Sequence, residues 1–376
     1  MNSANIVLKA TDACNLRCKY CYNSETGYEN KILPLPMLEK FLTVVSSKYN
    51  IVDIIWHGGE PMTVGVEYME EAMKIEEKIC LKTNVTFNNR MQSNGTLITN
   101  EWIKFFKNHS FKLGISFDGI NNEKYRQKSA DTLNGIELLK KNGIPFGIMA
   151  IVSDSDYDLM ENYKYFAKMN TSVEFSPVFI EGAAKNLHPL SVEKYCKGIN
   201  DLFDYWLYDK NGVGIRLFES YISMTLNRNF KICAHASCIG KYFSVTADGT
   251  IYNCGRESVK KYPFGNIENI NSIQELFAGD GFKNLLTGSI IRREKCKKSC
   301  ELFDYCCGNC TDEAIAENGL EEIPTNACYR FKAIFLHVKN SIEKVLADKI
   351  PLDMLNPTVK KTIIKCFAVN NSGVIE

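Results

Sequence analysis

IVLKATDACNLRCKYCYN, residues 6–23, is the stretch whose reading decides the fold. It opens on a short apolar run of the kind that forms a buried strand. It then passes directly into three cysteines, Cys14, Cys18 and Cys21, with spacings x3 and x2. The same rhythm continues downstream. Strands are predicted at 6–11, 51–58, 85–93, 112–119, 145–153 and 173–180. Between them, residues 35–49, 66–82, 99–108, 132–142 and 155–169 carry apolar side chains at helical spacing, the third behind a cap at Thr99. Strict alternation of strand and helix implies a parallel sheet with right-handed crossovers, either open and doubly wound or closed into a partial barrel. In both, ligands belong at the carboxyl ends of the strands. Cys14–Cys21, Gly58–Pro61, Ser93–Gly95 and Ser116–Gly119 all fall there.

The chain of 376 residues is long enough for one large barrel or two domains. Lys and Arg number 45 against 44 Asp and Glu, so the balance gives no reason to expect a nucleic-acid or membrane surface. The N-terminus lacks a basic segment followed by a long apolar run, and no apolar stretch reaches the length of a membrane span. A cytoplasmic protein is expected. Cysteine is the anomaly: of 15, three lie within Cys14–Cys21 and nine between Cys233 and Cys328, while Cys80, Cys196 and Cys366 stand alone. In a reducing compartment, clustered cysteines ligate metal or do redox work, whereas the solitary ones read as small buried apolar residues. From about residue 232 helical periodicity gives way to a hairpin signal, YFSVTADGTIYNC with Asp-Gly at its turn, and to the knot CKKSCELFDYCCGNC. The expected domains are 1–230, 231–335, and a helix and tail over 336–376.

Three thiolates on one loop can hold three irons of a [4Fe–4S] cube and leave the fourth open, as three-ligand metal sites keep a position for substrate. An open iron can chelate the amino and carboxylate groups of a methionine moiety, and an electron passed to an adjacent sulfonium breaks a C–S bond. The competing reading is a zinc site with His57 as fourth ligand. Further on, Cys233, Cys238, Cys254, Cys296, Cys300, Cys306, Cys310 and Cys328 provide the eight thiolates that two fully ligated clusters need, or the ligands of two structural zinc ions.

The triplet, with Tyr20 before its third cysteine at the end of a first strand, resembles the radical S-adenosylmethionine (SAM) superfamily, whose fold is a partial (β/α)6 barrel. Other segments extend the likeness. His57-Gly58-Gly59-Glu60-Pro61 resembles the family's GGEP motif, whose glycines bring backbone groups to the methionine end of the cofactor and whose Glu lies near its amino group. Gln92-Ser93-Asn94-Gly95-Thr96 resembles the segment after strand three. Ser116 and Asp118 match the segment that contacts the ribose, and Arg126 stands where an Arg pairs with the cofactor carboxylate. The C-terminal pattern resembles the cysteine-rich SPASM domain. That likeness implies Cys233, Cys238, Cys254 and Cys310 on a nearer auxiliary cluster and Cys296, Cys300, Cys306 and Cys328 on an outer one, with Cys307 competing with Cys306. The x3 spacing of Cys296 and Cys300 departs from the usual x2.

The resemblance implies three [4Fe–4S] clusters, SAM, a peptide or protein substrate and an external electron donor such as a flavodoxin or ferredoxin. A closed auxiliary cluster can accept or relay an electron, which points to a net oxidation. The layout is similar to anaerobic sulfatase-maturating enzymes, which make formylglycine from Cys or Ser. Those enzymes carry an Asp directly after the cysteine matching Cys254, and here that position is Gly255. The first expectation is therefore a maturase that installs a thioether or related cross-link in a ribosomal peptide, with any recognition of a leader supplied from elsewhere. Formylglycine formation is the alternative, and an iron–sulfur electron carrier is a reading of another class. The catalytic residues are not identified from sequence; Tyr22, His57 and Glu257 are the candidates.

Overall fold

The structure is a computed structural model describing residues 2–227 and 232–371. The domain boundary expected near 230 lies outside the described residues. Five βα units come first: β1 (Ser3–Thr11) and α1 (Leu35–Ser46), β2 (Ile51–Gly58) and α2 (Val66–Lys82), β3 (Thr86–Ser93) and α3 (Asn100–Asn108), β4 (Lys112–Ser116) with the short α4 (Asn122–Tyr125) and α5 (Ser129–Lys141), then β5 (Phe146–Val152) and α6 (Leu159–Lys168). Next come β6 (Val173–Pro177), α7 (Val192–Tyr208) and α8 (Arg216–Asn227). Strands β1 to β6 pair in parallel in chain order, forming a partial (β/α)6 barrel.

Period-two patterning explains both faces of this sheet. On β1, Ala4, Ile6, Leu8 and Ala10 are fully buried against the helices; on β2, Val52, Ile54 and Trp56 are too. The alternate positions, Asn5 and Val7, then Asp53, Ile55 and His57, are only half-buried and line the lumen. A complete eight-stranded barrel fills this space with side chains. Here polar residues leave part of it open, a cavity of about 210 Å³ bordered by Gln92, Gly114, Met149, Glu174 and Arg216.

After the barrel come β7 (Tyr242–Val245), β8 (Thr250–Tyr252), β9 (Gly265–Asn266), α9 (Ile273–Ala278), α10 (Asp280–Ser299), α11 (Phe303–Cys306), α12 (Thr311–Glu317), α13 (Thr325–Ala347) and α14 (Pro357–Asn371). The Asp-Gly hairpin forms as expected, but β7 also pairs in parallel with β1, so one sheet runs β6-β5-β4-β3-β2-β1-β7-β8-β9. Helix α13 packs on α7 and α8, and α14 on α8. Two expectations need correction. Helical structure does not stop near 232, for α10 alone runs twenty residues. Its buried face is Phe282, Leu285, Gly288, Ser289, Arg292 and Cys296, so half of the packed positions are polar or small and the apolar period is erased. Strand β4 also ends at Ser116 rather than 119, because Asp118 leaves the extended conformation to cap a tight turn. Among the described residues no helix is long and apolar enough to cross a membrane.

Candidate active site and cluster ligands

The cysteine loop is fastened to its neighbours largely by backbone. The Gly59 N–H donates to Thr11 O at 2.9 Å and the Glu60 N–H to Ala13 O at 2.8 Å. Glycines are needed for this approach: a Cβ on Gly58 would sit 2.2 Å from Thr11 O, and one on Gly59 2.1 Å from Ala13 O. The Gly-Gly pair thus holds the loop of Cys14, Cys18 and Cys21 against β2. Glu60, buried, braces the next segment: Oε1 accepts from Ser93 Oγ at 2.9 Å and Met62 N at 3.1 Å, and Oε2 from Asn94 N at 2.7 Å. Burial pushes its carboxyl up to about 7 against those hydrogen bonds. Asn94 in turn donates to Asn15 Oδ1 at 2.8 Å, tying the third-strand loop to the cysteine loop.

Across the mouth lies a second buried network. The Tyr20 hydroxyl donates to Asp118 Oδ2, while Asp118 Oδ1 accepts from Arg126 Nε at 3.2 Å and Ile151 N at 3.0 Å. The Arg126 guanidinium lies 5.1 Å from the Tyr20 ring centroid, with Nη1 4.0 Å from Cys18 Sγ. Burial works against its charge, and Asp118, Tyr20 and Cys18 together outweigh burial, raising its pKa. Ser116 accepts from Gln92 Nε2 at 2.8 Å. The predicted cofactor contacts therefore gather round the cysteine triplet, at the carboxyl ends of β2, β3 and β4.

Between the triplet and the later cysteines sits a third group. Tyr22 and His57 rings lie 6.3 Å apart, and His57 Nδ1 accepts from Gly58 N at 2.9 Å. Burial, and then Lys9, lower the His57 pKa to about 4, so its ring is neutral. Lys9 donates to Asn23 Oδ1 at 2.8 Å, with Nζ 4.9 Å from the Tyr22 centroid, and Asn23 Nδ2 donates to Gly58 O at 2.6 Å. Lys9 and Asn23 were missed from sequence. The available signal was a charged residue in a lumen position of an otherwise apolar strand.

The eight later cysteines separate into two neighbourhoods. Cys254 feels the charge of Cys233, Cys233 that of Cys238, and Cys310 that of Cys254. Cys306 feels Cys328 and Cys296, and Cys328 feels Cys296 and Cys300. Cys307 faces Arg293 and Asp304 instead. Burial pushes the Cys14 and Cys328 thiols up to about 11 and those of Cys254 and Cys306 to about 12. Buried thiols of this kind become good ligands once a cation repays the desolvation of the thiolate. No three His, Cys, Asp or Glu among the described residues converge tightly enough for a single metal ion. All-thiol donor sets spread round a wider centre suit iron–sulfur cubes better than zinc.

Beside the first neighbourhood, Arg256 pairs with Asp312 at 2.9 Å and Glu313 at 3.4 Å, and lies 3.5 Å from the Phe179 ring centroid. Glu313 also takes Arg330 at 2.8 Å. Glu257 is held by Lys260 at 2.7 Å.

Comparison with known proteins agrees with this geometry. The radical SAM superfamily matches residues 8–166, and the SPASM iron–sulfur cluster-binding domain matches residues 233–311. The chain is 28% identical over 360 residues to the cysteine-type anaerobic sulfatase-maturating enzyme of Clostridium novyi, covering 89% of this chain and 95% of that one. It is 30% identical over 328 residues to the Clostridium perfringens enzyme of the same description, covering 81% and 88%. The solved structure described as "Native anSMEcpe with bound AdoMet and Cp18Cys peptide" superposes with a TM-score of 0.78 at 27% identity, over 92% of this chain and 99% of the other. The chain is a radical SAM enzyme, and it belongs to the branch of that superfamily whose partial barrel is followed by a SPASM domain.

Proposed function

We propose that the protein oxidises a Cys or Ser side chain of a protein or peptide substrate to formylglycine, as an anaerobic sulfatase-maturating enzyme. The observation that carries this reading is likeness to such enzymes along nearly the whole chain, in sequence and in fold, including one solved with a peptide bound. A thioether or related cross-link in a ribosomal peptide is the second reading; it is favoured by Gly255, where the sulfatase maturases carry Asp, and it is the less well supported.

In this reading Cys14, Cys18 and Cys21 would hold the [4Fe–4S] cluster at which SAM binds. Cys233, Cys238, Cys254 and Cys310 hold the nearer auxiliary cluster, and Cys296, Cys300, Cys306 and Cys328 the outer one. Bound there, SAM and its cluster would supply the radical hydrogen-abstraction chemistry. The chain's own residues bind, orient and exclude water. Arg126 offers a fixed cationic fork to the cofactor carboxylate and Ser116 an oxygen to the ribose, while Asp118, expected to contact the ribose, is fully buried with both oxygens taken and instead orients Arg126 and Tyr20. Gly58, Gly59, Glu60, Ser93 and Asn94 form the rigid wall against which the methionine end rests. An external low-potential donor, a flavodoxin or ferredoxin, supplies the starting electron. Neutral His57 and half-buried Tyr22 border the reacting space.

The test is anaerobic incubation of the cluster-loaded protein with SAM, reductant and sulfatase-motif peptides carrying Cys or Ser. Formation of a hydrazide-reactive aldehyde supports the reading. Loss of two hydrogens from a Cys-rich peptide, with a thiol consumed and no aldehyde, would move the assignment to the cross-linking maturase.

A further inference from the structure

Arg292 is a buried cation whose partners are all neutral. It is 1% exposed, on the packed face of α10. Its Nε donates to Gly308 O at 3.2 Å and its Nη1 to Leu320 O at 2.8 Å. Nη2 donates to Thr311 Oγ1 at 2.9 Å and to Ser289 Oγ at 3.5 Å. Among the described residues no carboxylate forms an ion pair with it. The other guanidinium groups drawn into the interior have one: Arg126 has Asp118, Arg256 has Asp312 and Arg330 has Glu313. The pKa of those three is raised, whereas burial lowers that of Arg292. A full charge taken out of water without a counter-ion is costly, and buried charges are paired or serve a metal site.

The neighbours of Arg292 say which anion it serves. It stands one helical turn before Cys296 on the same buried face of α10. Its bonds to Gly308 and Thr311 fasten it to the segment that carries Cys306 and Cys310. Cys296 and Cys306 belong to the outer cysteine neighbourhood, and Cys310 to the nearer one. The sulfurs of Cys310, Cys296 and Cys238 are what favour its charge. The guanidinium is thus fixed between two all-thiol donor sets. A cube ligated by four thiolates is an anion, and reduction adds a further negative charge to it.

We propose that Arg292 is the shared counter-ion of the two auxiliary clusters, a fixed charge set between them that raises the reduction potential of both. This rests on the cluster assignment made above and not on which product the enzyme forms. No carboxylate competes for the guanidinium, so its field is left for the clusters, and burial keeps salt from screening it. Each cluster that takes an electron gains a negative charge, which a nearby fixed cation stabilises. Arginine suits the role better than lysine: it stays charged when buried, and its planar fork is held by backbone and hydroxyl oxygens.

The experiment titrates the anaerobically cluster-loaded full chain with graded reductant and follows the clusters by electron paramagnetic resonance. A Cys14→Ala, Cys18→Ala, Cys21→Ala background leaves only the auxiliary signals. At the midpoint potential of each cluster with Arg292 intact, the ratio of reduced to oxidised form should fall about tenfold or more in Arg292→Gln, for both clusters. Arg292→Lys keeps the charge and should hold most of the ratio. Ser289→Asp leaves Arg292 and its other hydrogen bonds in place but sets a carboxylate beside Nη2, so it should lower both ratios, whereas Ser289→Asn should not. That pair keeps the test open if Arg292→Gln fails to fold or to load. Lys298→Gln removes an exposed cation from the same helix and should leave both clusters near their original ratios. Ratios undiminished in Arg292→Gln or in Ser289→Asp, a response of one cluster alone, or an Arg292→Lys ratio as low as that of Arg292→Gln each overturn the role of Arg292. Absence of auxiliary signals from the loaded chain with Arg292 intact overturns the cluster assignment and this role with it. Absence of formylglycine, with both clusters responding as stated, overturns the proposed function alone.

Discussion

Gly59→Ala isolates the contact that holds the cysteine loop on the sheet. The added methyl would meet Ala13 O at 2.1 Å and Asp12 O at 2.5 Å, and both are backbone atoms that cannot swing aside. Relief requires the two segments to part by roughly an ångström, since non-bonded carbon and oxygen settle well beyond 3 Å. That movement stretches two short hydrogen bonds, Gly59 N to Thr11 O at 2.9 Å and Glu60 N to Ala13 O at 2.8 Å. Leaving buried backbone groups unpaired costs about 1–3 kcal/mol each, so the expected loss is on the order of 2–5 kcal/mol. Gly143→Ala is the control: its φ is +65° with nothing within 4 Å of the added Cβ, so only the left-handed conformation is penalised, by about 1–2 kcal/mol. Anaerobic urea unfolding followed by tryptophan fluorescence gives the difference, and iron per chain reports whether the displaced Cys14 loop still retains its cluster. If Gly59→Ala costs no more than Gly143→Ala and keeps its full iron, the clamp reasoning is wrong.

Asp118→Ala strands Arg126 as a buried unpaired charge and removes the acceptor for Tyr20 and Ile151 N; a loss of about 3–5 kcal/mol in urea unfolding is expected, and a loss under 1 kcal/mol counts against it. Cys306→Ser should lower iron and sulfide by one cluster's share while Cys307→Ser leaves both unchanged, because only the former faces Cys296 and Cys328; equal losses in the two assays would contradict the grouping. Burial lifts the Glu76 carboxyl from 4.5 to about 8 despite the Asn89 hydrogen bond. A carboxyl raised on folding holds its proton more tightly in the native state, so it penalises the fold increasingly from about pH 4.5 upward, fully above about 8. Glu76→Gln should therefore stabilise by on the order of 2 kcal/mol at pH 8.5 and by less at pH 6, and a gain independent of pH would exclude this cause.

The barrel half of the chain was legible because its strands are short, its helices amphipathic and its motifs fall at strand ends, where side chains converge whatever the loops do. Thus α2 spans the residues that its apolar spacing predicts, Val66–Lys82. The cysteine clusters stood out by their spacing, and the radical SAM and SPASM matches span all of the clustered cysteines except Cys328. What sequence could not reveal depends on three-dimensional neighbours. Lys9 looks like one charged residue in a strand until Asn23 and Tyr22 are placed beside it. Helix α10 hides because its packed face carries Arg292, whose nitrogens reach Gly308 O at 3.2 Å, Leu320 O at 2.8 Å and Thr311 Oγ1 at 2.9 Å; a buried guanidinium satisfied by backbone reads in sequence as solvated surface. The Gly-Gly loop was recognisable, yet its first duty proved to be gripping Thr11 and Ala13, a demand that only backbone distances reveal.

The pairing of β7 with β1 carries a consequence for how the protein is made. Strand β1 is translated before every other strand of the sheet, but the partner for one of its two edges, Tyr242–Val245, is translated only after the whole remaining barrel. Throughout that interval a nascent chain bears an unpaired parallel edge, the feature most prone to intermolecular strand addition. The late hairpin is thus the cover that completes the sheet, and a chain cut short before residue 242 would leave that edge open to aggregation.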